Sequence, residues 1–288
     1  GYEPNAAARA MKAKSSGMIG VILGDLADPY SCQALKGLED AAGSQNIQVM
    51  VAGSGMNFNS EKEIVERMLK MGAEGFIIQS TYRFGMMAGS LEKKRRPIVY
   101  LDAKPYDYRG RCVKSNHYEC VYQVITECIG KGYEDFMMFS DDFSTSSTGF
   151  ESMQGYKDAL QDAVRDGGTF YMAEGRRSGD VYEVLSQNLN LERRTLIYVA
   201  DPPLYQVVYQ ALRRYPDYME LLKGRVGLIG FDCDGWTRMT TPPLAAIITP
   251  AYQEGVKAAE ELMDILDGKK AEGDVVFKNI VKYRESVN

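Results

Sequence analysis

Strand-length apolar runs alternate with helix-length amphipathic segments along almost the whole chain, and this alternation restricts the fold more than any other feature. Met18–Leu23 is a continuous apolar run, as a central strand covered on both faces requires. The spacing predicts a helix from Tyr30 to about Ala42, started by the Asp28-Pro29 turn, then a strand over Gln48–Ala52. Ser60–Met71 reads as a helix, because Ile64, Met68 and Met71 recur at helical spacing and Ser60 with Glu63 fits a capping box. Further strands are expected at Gly75–Gln79, Pro97–Asp102 and Arg111–Lys114, with a helix from Gly85 to Lys94 whose basic end suits the helix dipole. Tyr118–Ile129 reads as a helix closed by Gly130 and Gly132.

A second series follows. Strands are expected at Asp135–Phe139, Thr169–Met172, Thr195–Ala200, Arg225–Phe231 and Leu244–Ile248. Helices are expected at Gly149–Asp166, Asp180–Leu189, Leu204–Tyr215 and Tyr252–Leu266, with last strands near Val275–Phe277 and Ile280–Tyr283. The fold class is therefore α/β, with parallel sheets flanked by helices on both faces. Two runs of βα units meet near Lys131–Glu134, with no Gly/Pro/Ser linker between them. That suits two lobes joined by short crossovers.

Composition narrows the function. With 45% hydrophobic residues over 288 positions, the chain can bury a sizeable core. A net charge of −5 argues against the body as a nucleic-acid binder, and the basic residues near the N-terminus stand apart from it. No apolar run approaches the roughly 20 residues that span a bilayer, so no membrane partner is expected. No signal-type apolar segment opens the chain. The five cysteines, Cys32, Cys112, Cys120, Cys128 and Cys233, form no C-x-x-C, which reads as reduced thiols in a cytoplasmic protein. One histidine, His117, rules out a histidine-rich metal site; no metal and no cofactor is expected.

The opening stretch is short, alanine-rich and basic. Asn5 can cap a helix running to about Lys12, and Arg9, Lys12 and Lys14 make it cationic, so a polyphosphate partner is expected. So short a helix is marginal alone and forms when something docks against it. Tyr2-x-Pro4-Asn5-x-x-Ala8-Arg9-x-Met11, followed by Ile19-Gly20-Val21-Ile22, resembles the junction between hinge helix and core in LacI/GalR-type transcription repressors. Gly155-Tyr156, Gly230-Phe231-Asp232, Pro242-Pro243-Leu244, Gly255 with Ala258-Ala259 and Leu262, and Arg284-Glu285-Ser286 follow in that family's order.

The resemblance implies a two-lobed fold of the type I periplasmic-binding-protein kind. Residues 1–16 would be a hinge remnant, 17–131 with 251–277 the N-terminal lobe, and 132–250 with 278–288 the C-terminal lobe. It further implies a homodimer on operator DNA, with Asn5, Ala8, Arg9, Met11 and Lys12 at the minor groove and Met11 as the apolar wedge in a base step. The helix-turn-helix headpiece has no counterpart in this sequence, which is expected to be part of a longer protein.

Ligands in open α/β sheets lie beyond the carboxyl ends of the strands. The polar and aromatic residues expected there are Asp25, Asp28, Tyr30, Gln79, Ser80, Tyr82, Arg83 and Asp102 in the first lobe, and Asn116 at the hinge. In the second lobe they are Phe143, Ser144, Thr148, Ser152, Arg177, Asp201, Asp232 and Trp236. Carboxylates accept hydroxyl protons of a sugar in charge-assisted bonds. Rings such as Tyr30 and Trp236 can cover its C–H face. The resemblance puts Asp232 at an effector-binding position. Where sugar-binding relatives usually carry an Arg, however, this chain has Ser152, so Arg177 and Arg83 are expected to supply the cation, as a sugar acid or sugar phosphate would need. The Asp232-x-x-x-Trp236-Thr237 and Asn116-His117-Tyr118-Glu119 patterns are similar to the branch that senses keto-deoxy sugar acids.

Two other classes are weighed against a sugar-responsive regulator. A periplasmic transport protein would share the fold, but free thiols and the basic opening speak against it. An enzyme would need a nucleophile, base and orienting group, or a G-x-G-x-x-G or P-loop signature, and none can be assembled.

Overall fold

The structure, a computed structural model, describes residues 16–80, 91, 96–105, 108–140, 146–163, 169–172, 178–233, 235–270 and 273–288. They form two compact units.

The first unit holds β1 (Met18–Leu23), α1 (Pro29–Ser44), β2 (Gln48–Gly53), α2 (Phe58–Lys70), β3 (Phe76–Ile78), β4 (Ile98–Leu101) and β5 (Cys112–Ser115). The chain returns to it late for α8 (Ala251–Leu266) and β11 (Asp274–Phe277). Its six-stranded sheet runs β2-β1-β3-β4-β5-β11, and the pairs from β2 to β5 are parallel. Ile19, Val21, Ile22 and Leu23 of β1 are buried, as the unbroken apolar run requires of a strand covered on both faces.

The second unit begins at Ser115, at the end of β5, and holds α3 (His117–Gly130), β6 (Asp135–Ser140), α4 (Ser147–Asp162), β7 (Thr169–Met172), α5 (Ser178–Asn188) and β8 (Thr195–Val199). It continues through α6 (Pro202–Leu212), α7 (Tyr218–Gly224), β9 (Val226–Asp232), β10 (Ala245–Ile248) and, after the excursion, β12 (Ile280–Lys282). Its sheet runs β7-β6-β8-β9-β10-β12, parallel from β7 to β10 and closed by antiparallel β12. Both sheets thus reverse direction beside their first strand, between β1 and β3 and between β6 and β8, the switch points at which such sheets bind ligands.

Two expectations are corrected. The first boundary lies between Lys114 and Ser115, not near Lys131. Cys120, Val121, Val124, Ile125 and Cys128 of α3 pack with Tyr156, Tyr198, Ile229 and Phe231, so α3 belongs to the second core. The cap of α2 is Asn57, whose side chain accepts from the N–H groups of Asn59 and Ser60, so Ser60 sits inside the first turn. The short α7 was not foreseen. Most of the helix expected over Gly85–Lys94 lies outside the described residues.

Helix–helix contacts are closest where two glycines meet. On α1 a Cβ at Gly37 would stand 2.0 Å from the Tyr252 carbonyl oxygen. On α8 a Cβ at Gly255 would stand 1.9 Å from the Ala34 carbonyl oxygen. The two backbones cross with nothing between them, and beside this crossing the buried Tyr30 hydroxyl donates to buried Glu254 at 2.6 Å.

Of the thiols, Cys32 is exposed and Cys112, Cys120 and Cys128 are buried. Burial pushes Cys120 and Cys128 up to about 12 from 9.0 and raises Cys112 as well. The folded state therefore keeps protons that the unfolded chain sheds. The stability these thiols contribute is whole below about pH 9 and is lost as pH climbs towards about 12. Titration with a thiol reagent should show Cys32 reacting at once, while the three buried thiols react only on unfolding. Melting temperatures should fall steadily above about pH 9. Rapid labelling of Cys120 or Cys128 in the folded protein would contradict this.

Candidate functional site

In the first unit the carboxyl ends of the strands are joined by hydrogen bonds running across the sheet. The Gly55 N–H donates to the Gly24 carbonyl at 2.7 Å. The Gly24 N–H donates to Gln79 Oε1 at 2.9 Å, and Gln79 Nε2 donates to Asp102 Oδ2 at 2.9 Å. The Asp102 N–H donates to the Val113 carbonyl at 2.8 Å. Gln79 thus sits at the switch point between β1 and β3, bridging the ends of β1 and β4. Asp102 turns out of β4 with φ of 59°, a left-handed conformation that Asp tolerates better than most residues. Beside it the buried Ser80 hydroxyl lies 2.9 Å from each oxygen of buried Glu61.

The β1–α1 loop is ordered by its own carboxylates. Asp25 accepts the Ala27 N–H at 2.9 Å and is exposed. Asp28 caps α1 by accepting the Tyr30 N–H at 3.0 Å, with Pro29 in the first turn. Tyr30 is buried, and its hydroxyl donates to Glu254.

In the second unit β9 ends in Asp232, only 1% exposed. Its Oδ1 accepts from Gly235 N–H at 3.0 Å; its Oδ2 accepts from Thr237 N–H at 3.3 Å and from the Thr237 hydroxyl. Arg284 donates to Thr237 Oγ1 at 2.9 Å and to the Leu244 carbonyl. A hydroxyl has one proton, so the guanidinium on its lone pair directs that proton at Asp232. Trp236 is half-buried and packs on Tyr205 and Tyr209, with ring centroids at 5.3 and 6.0 Å.

Asp201 precedes Pro202-Pro203 at the start of α6. Thr148 and Ser152 lie one turn apart on α4, both buried. Beneath them burial pushes the Tyr198 hydroxyl well up, with Ser152 as the polar neighbour that offsets part of this. Asn116 precedes α3, and its Oδ1 accepts the Asn279 N–H at 2.8 Å, which anchors the segment leading into β12. His117 is buried with its ring 4.9 Å from Phe231.

Arg83, Arg177, Tyr82, Phe143 and Ser144 lie outside the described residues, as do Asn5, Ala8, Arg9, Met11 and Lys12. The sequence reading missed the bridging role of Gln79, the Glu61–Ser80 pair and the Arg284–Thr237 link. A glutamate in the first turn of a helix, or an arginine near the end of the chain, looks solvent-facing until the long-range partner is known. Among the described residues no cluster of three or more His, Cys, Asp or Glu could hold a metal ion. Among the same residues no helix is long and apolar enough to cross a membrane.

The family model for periplasmic binding proteins and the sugar-binding domain of LacI proteins matches residues 16–189. Catabolite control protein A of Priestia megaterium is 24% identical, over 99% of this chain and 86% of its own length. The HTH-type transcriptional regulator KdgR of Bacillus subtilis is 23% identical, over 93% of this chain and 79% of its own. These relatives are regulators, not enzymes. The crystal structure of a putative transcription regulator from Staphylococcus saprophyticus superposes with a TM-score of 0.81 at 19% identity, over 94% of this chain and 98% of that one. That of the Cra transcriptional dual regulator from Pseudomonas putida, in complex with fructose 1-phosphate, gives 0.80 at 18% identity, over 93% and 98%.

Proposed function

This chain belongs to the family of periplasmic binding proteins and LacI-type sugar-binding domains, and from that premise we propose that it is the effector-binding and dimerisation core of a sugar-responsive transcriptional regulator. The observation that carries the reading is the polar carboxyl edge that each unit presents at the switch point of its sheet. In the first unit this edge comprises Asp25, Gln79 and Asp102, and in the second Thr148, Ser152, Asp201 and Asp232. Carboxylates and neutral acceptors suit the hydroxyls of a sugar. Arg83 and Arg177 are the cations we assign to an acidic group on it, since guanidinium grips carboxylate and phosphate bidentately. The effector is then a sugar acid or sugar phosphate. We assign Asn5, Ala8, Arg9, Met11 and Lys12 to operator DNA, with two subunits pairing to present them. An effector acts in this scheme by binding one of two conformations of the dimer more tightly.

The alternative, a periplasmic binding protein of a transport system, shares the family and the fold. The curated relatives cited above, aligned over 93% or more of this chain, are both regulators, which favours the first reading.

A thermal-shift screen against neutral sugars, sugar acids and sugar phosphates tests the proposal. A true effector well above its dissociation constant should stabilise the fold by about 2–4 kcal/mol. Arg177→Ala should abolish the response to the acidic ligand while leaving the unliganded melt near that of the parent. An unchanged affinity in that variant would remove Arg177 from the site, and a flat response to every compound would count against a sugar-type effector.

A further inference from the structure

We infer that Gln79 is a positioning residue, one that holds the Gly24–Asp28 loop and Asp102 as a single body. The inference deepens the effector reading above and rests on it for the purpose of the loop. Its physical ground is the direction of the hydrogen bonds. One path of bonds runs in a single sense across five strands, from β2 to β1, β3, β4 and β5, through Gly55, Gly24, Gln79, Asp102 and Val113, alongside backbone bonds of the opposite sense such as the Gln79 N–H to the Ile22 carbonyl at 2.8 Å.

Three of the four links use backbone N–H groups. Between β1 and β4 the links pass through the Gln79 side chain, and they ask it to accept on one side and donate on the other. A primary amide does both. An ionised glutamate can only accept, and an aliphatic side chain can do neither. A Cβ at Gly24 would stand 2.8 Å from the Met56 sulfur and 3.2 Å from Gln79 Oε1, so a larger residue there would press on the Gln79 amide. Each polar end of Gln79 thus makes a bond to a protein group. Their effect is to fix the peptide from which the loop carrying Asp25 and the Asp28 cap departs, and one oxygen of Asp102.

The test is made on the ligand-free protein by amide hydrogen exchange at Gly24, with melting curves recorded in parallel. Gln79→Leu keeps the bulk and removes both functions, so Gly24 should exchange faster by on the order of tenfold or more relative to distant amides of β1. Gln79→Glu keeps an acceptor for the Gly24 N–H but loses the donor to Asp102 at about pH 8, where two carboxylates would face each other, so its protection should lie between wild type and the leucine variant there and rise towards wild type at about pH 5, where a shared proton restores the donor. Wild type should show no such pH-dependent recovery. Unchanged protection in Gln79→Leu overturns the inference, as does a Gln79→Glu variant whose protection is indifferent to pH. A blank effector screen would sink the functional reading and leave this bridge standing, whereas loss of the bridge alone would leave the effector reading intact.

Discussion

Gly255→Ala is expected to destabilise the first unit by about 3 kcal/mol and to lower its melting temperature by on the order of 10 °C. The added methyl would lie 1.9 Å from the Ala34 carbonyl oxygen, 2.7 Å from its carbonyl carbon and 3.0 Å from its Cα. All three are backbone atoms of α1, so no rotamer change relieves the clash and the two helices must separate. Separation would loosen the packing that buries Ala34, Leu38, Ala258, Ala259 and Leu262. Gly37→Ala should act alike, through the Tyr252 carbonyl oxygen. The control lies in the same helix, because Gly43 is exposed and an added methyl there meets nothing within 4 Å. Gly43→Ala should instead stabilise by about 0.5–1 kcal/mol through helix propensity. Opposite signs for two Gly→Ala changes, read by circular dichroism melts, would establish that backbone contact joins α1 to α8. A melt of Gly255→Ala within a degree of wild type would refute it.

That contact also shows what a sequence can carry. The α/β class and nearly every strand were readable because a strand buried on both faces must be a short apolar run, as Thr195–Val199 is. Assigning α3 to a core was not possible in the same way. Its apolar positions, Cys120 through Cys128, suit any sheet, and the sheet they cover is fixed by partners as distant as Phe231. Ser60 and Glu63 imitated a capping box, but Asn57 lies a turn earlier and wins because its carboxamide reaches two free N–H groups. The seven-residue α7 is too short for periodicity to register.

The site follows the same division. Strand ends could be located from sequence, and Asp25, Gln79, Asp201 and Asp232 do stand just at or after the ends of β1, β3, β8 and β9. Whether a side chain is already committed to the protein's own donors could not be read. Tyr30 is held by Glu254, Asn116 by the Asn279 N–H, and Trp236 by two tyrosines.

For Asp232 commitment to the fold and recognition of a ligand need not exclude each other, and two substitutions separate them. Asp232→Ala removes the acceptor for Gly235 N–H, Thr237 N–H and the Thr237 hydroxyl in a place nearly closed to water. Bonds to a charged group contribute about 1.5–3 kcal/mol each, and a stranded buried donor costs about 1–3. The expected loss is therefore about 3–5 kcal/mol in total, short of the full sum because the turn relaxes. The Arg284 guanidinium, which donates to Thr237 Oγ1, would lose the acceptor towards which its partner's proton points. Asp232→Asn is milder. With its oxygen placed where Oδ2 was, it still accepts both Thr237 donors, and only the Gly235 N–H meets another donor, for a loss of about 1–2 kcal/mol. If Asp232 only caps the turn, the asparagine variant should respond to the effector as wild type does. If its carboxylate also takes up hydroxyls of the ligand, the asparagine variant should melt only a few degrees below wild type and yet lose most of the ligand-induced shift. We expect the second result, because Asp232 ends β9 at the carboxyl edge of the sheet, where ligands of open α/β sheets bind. An alanine variant as stable as wild type would dismiss the structural role, and an asparagine variant with full ligand response would dismiss the recognition role.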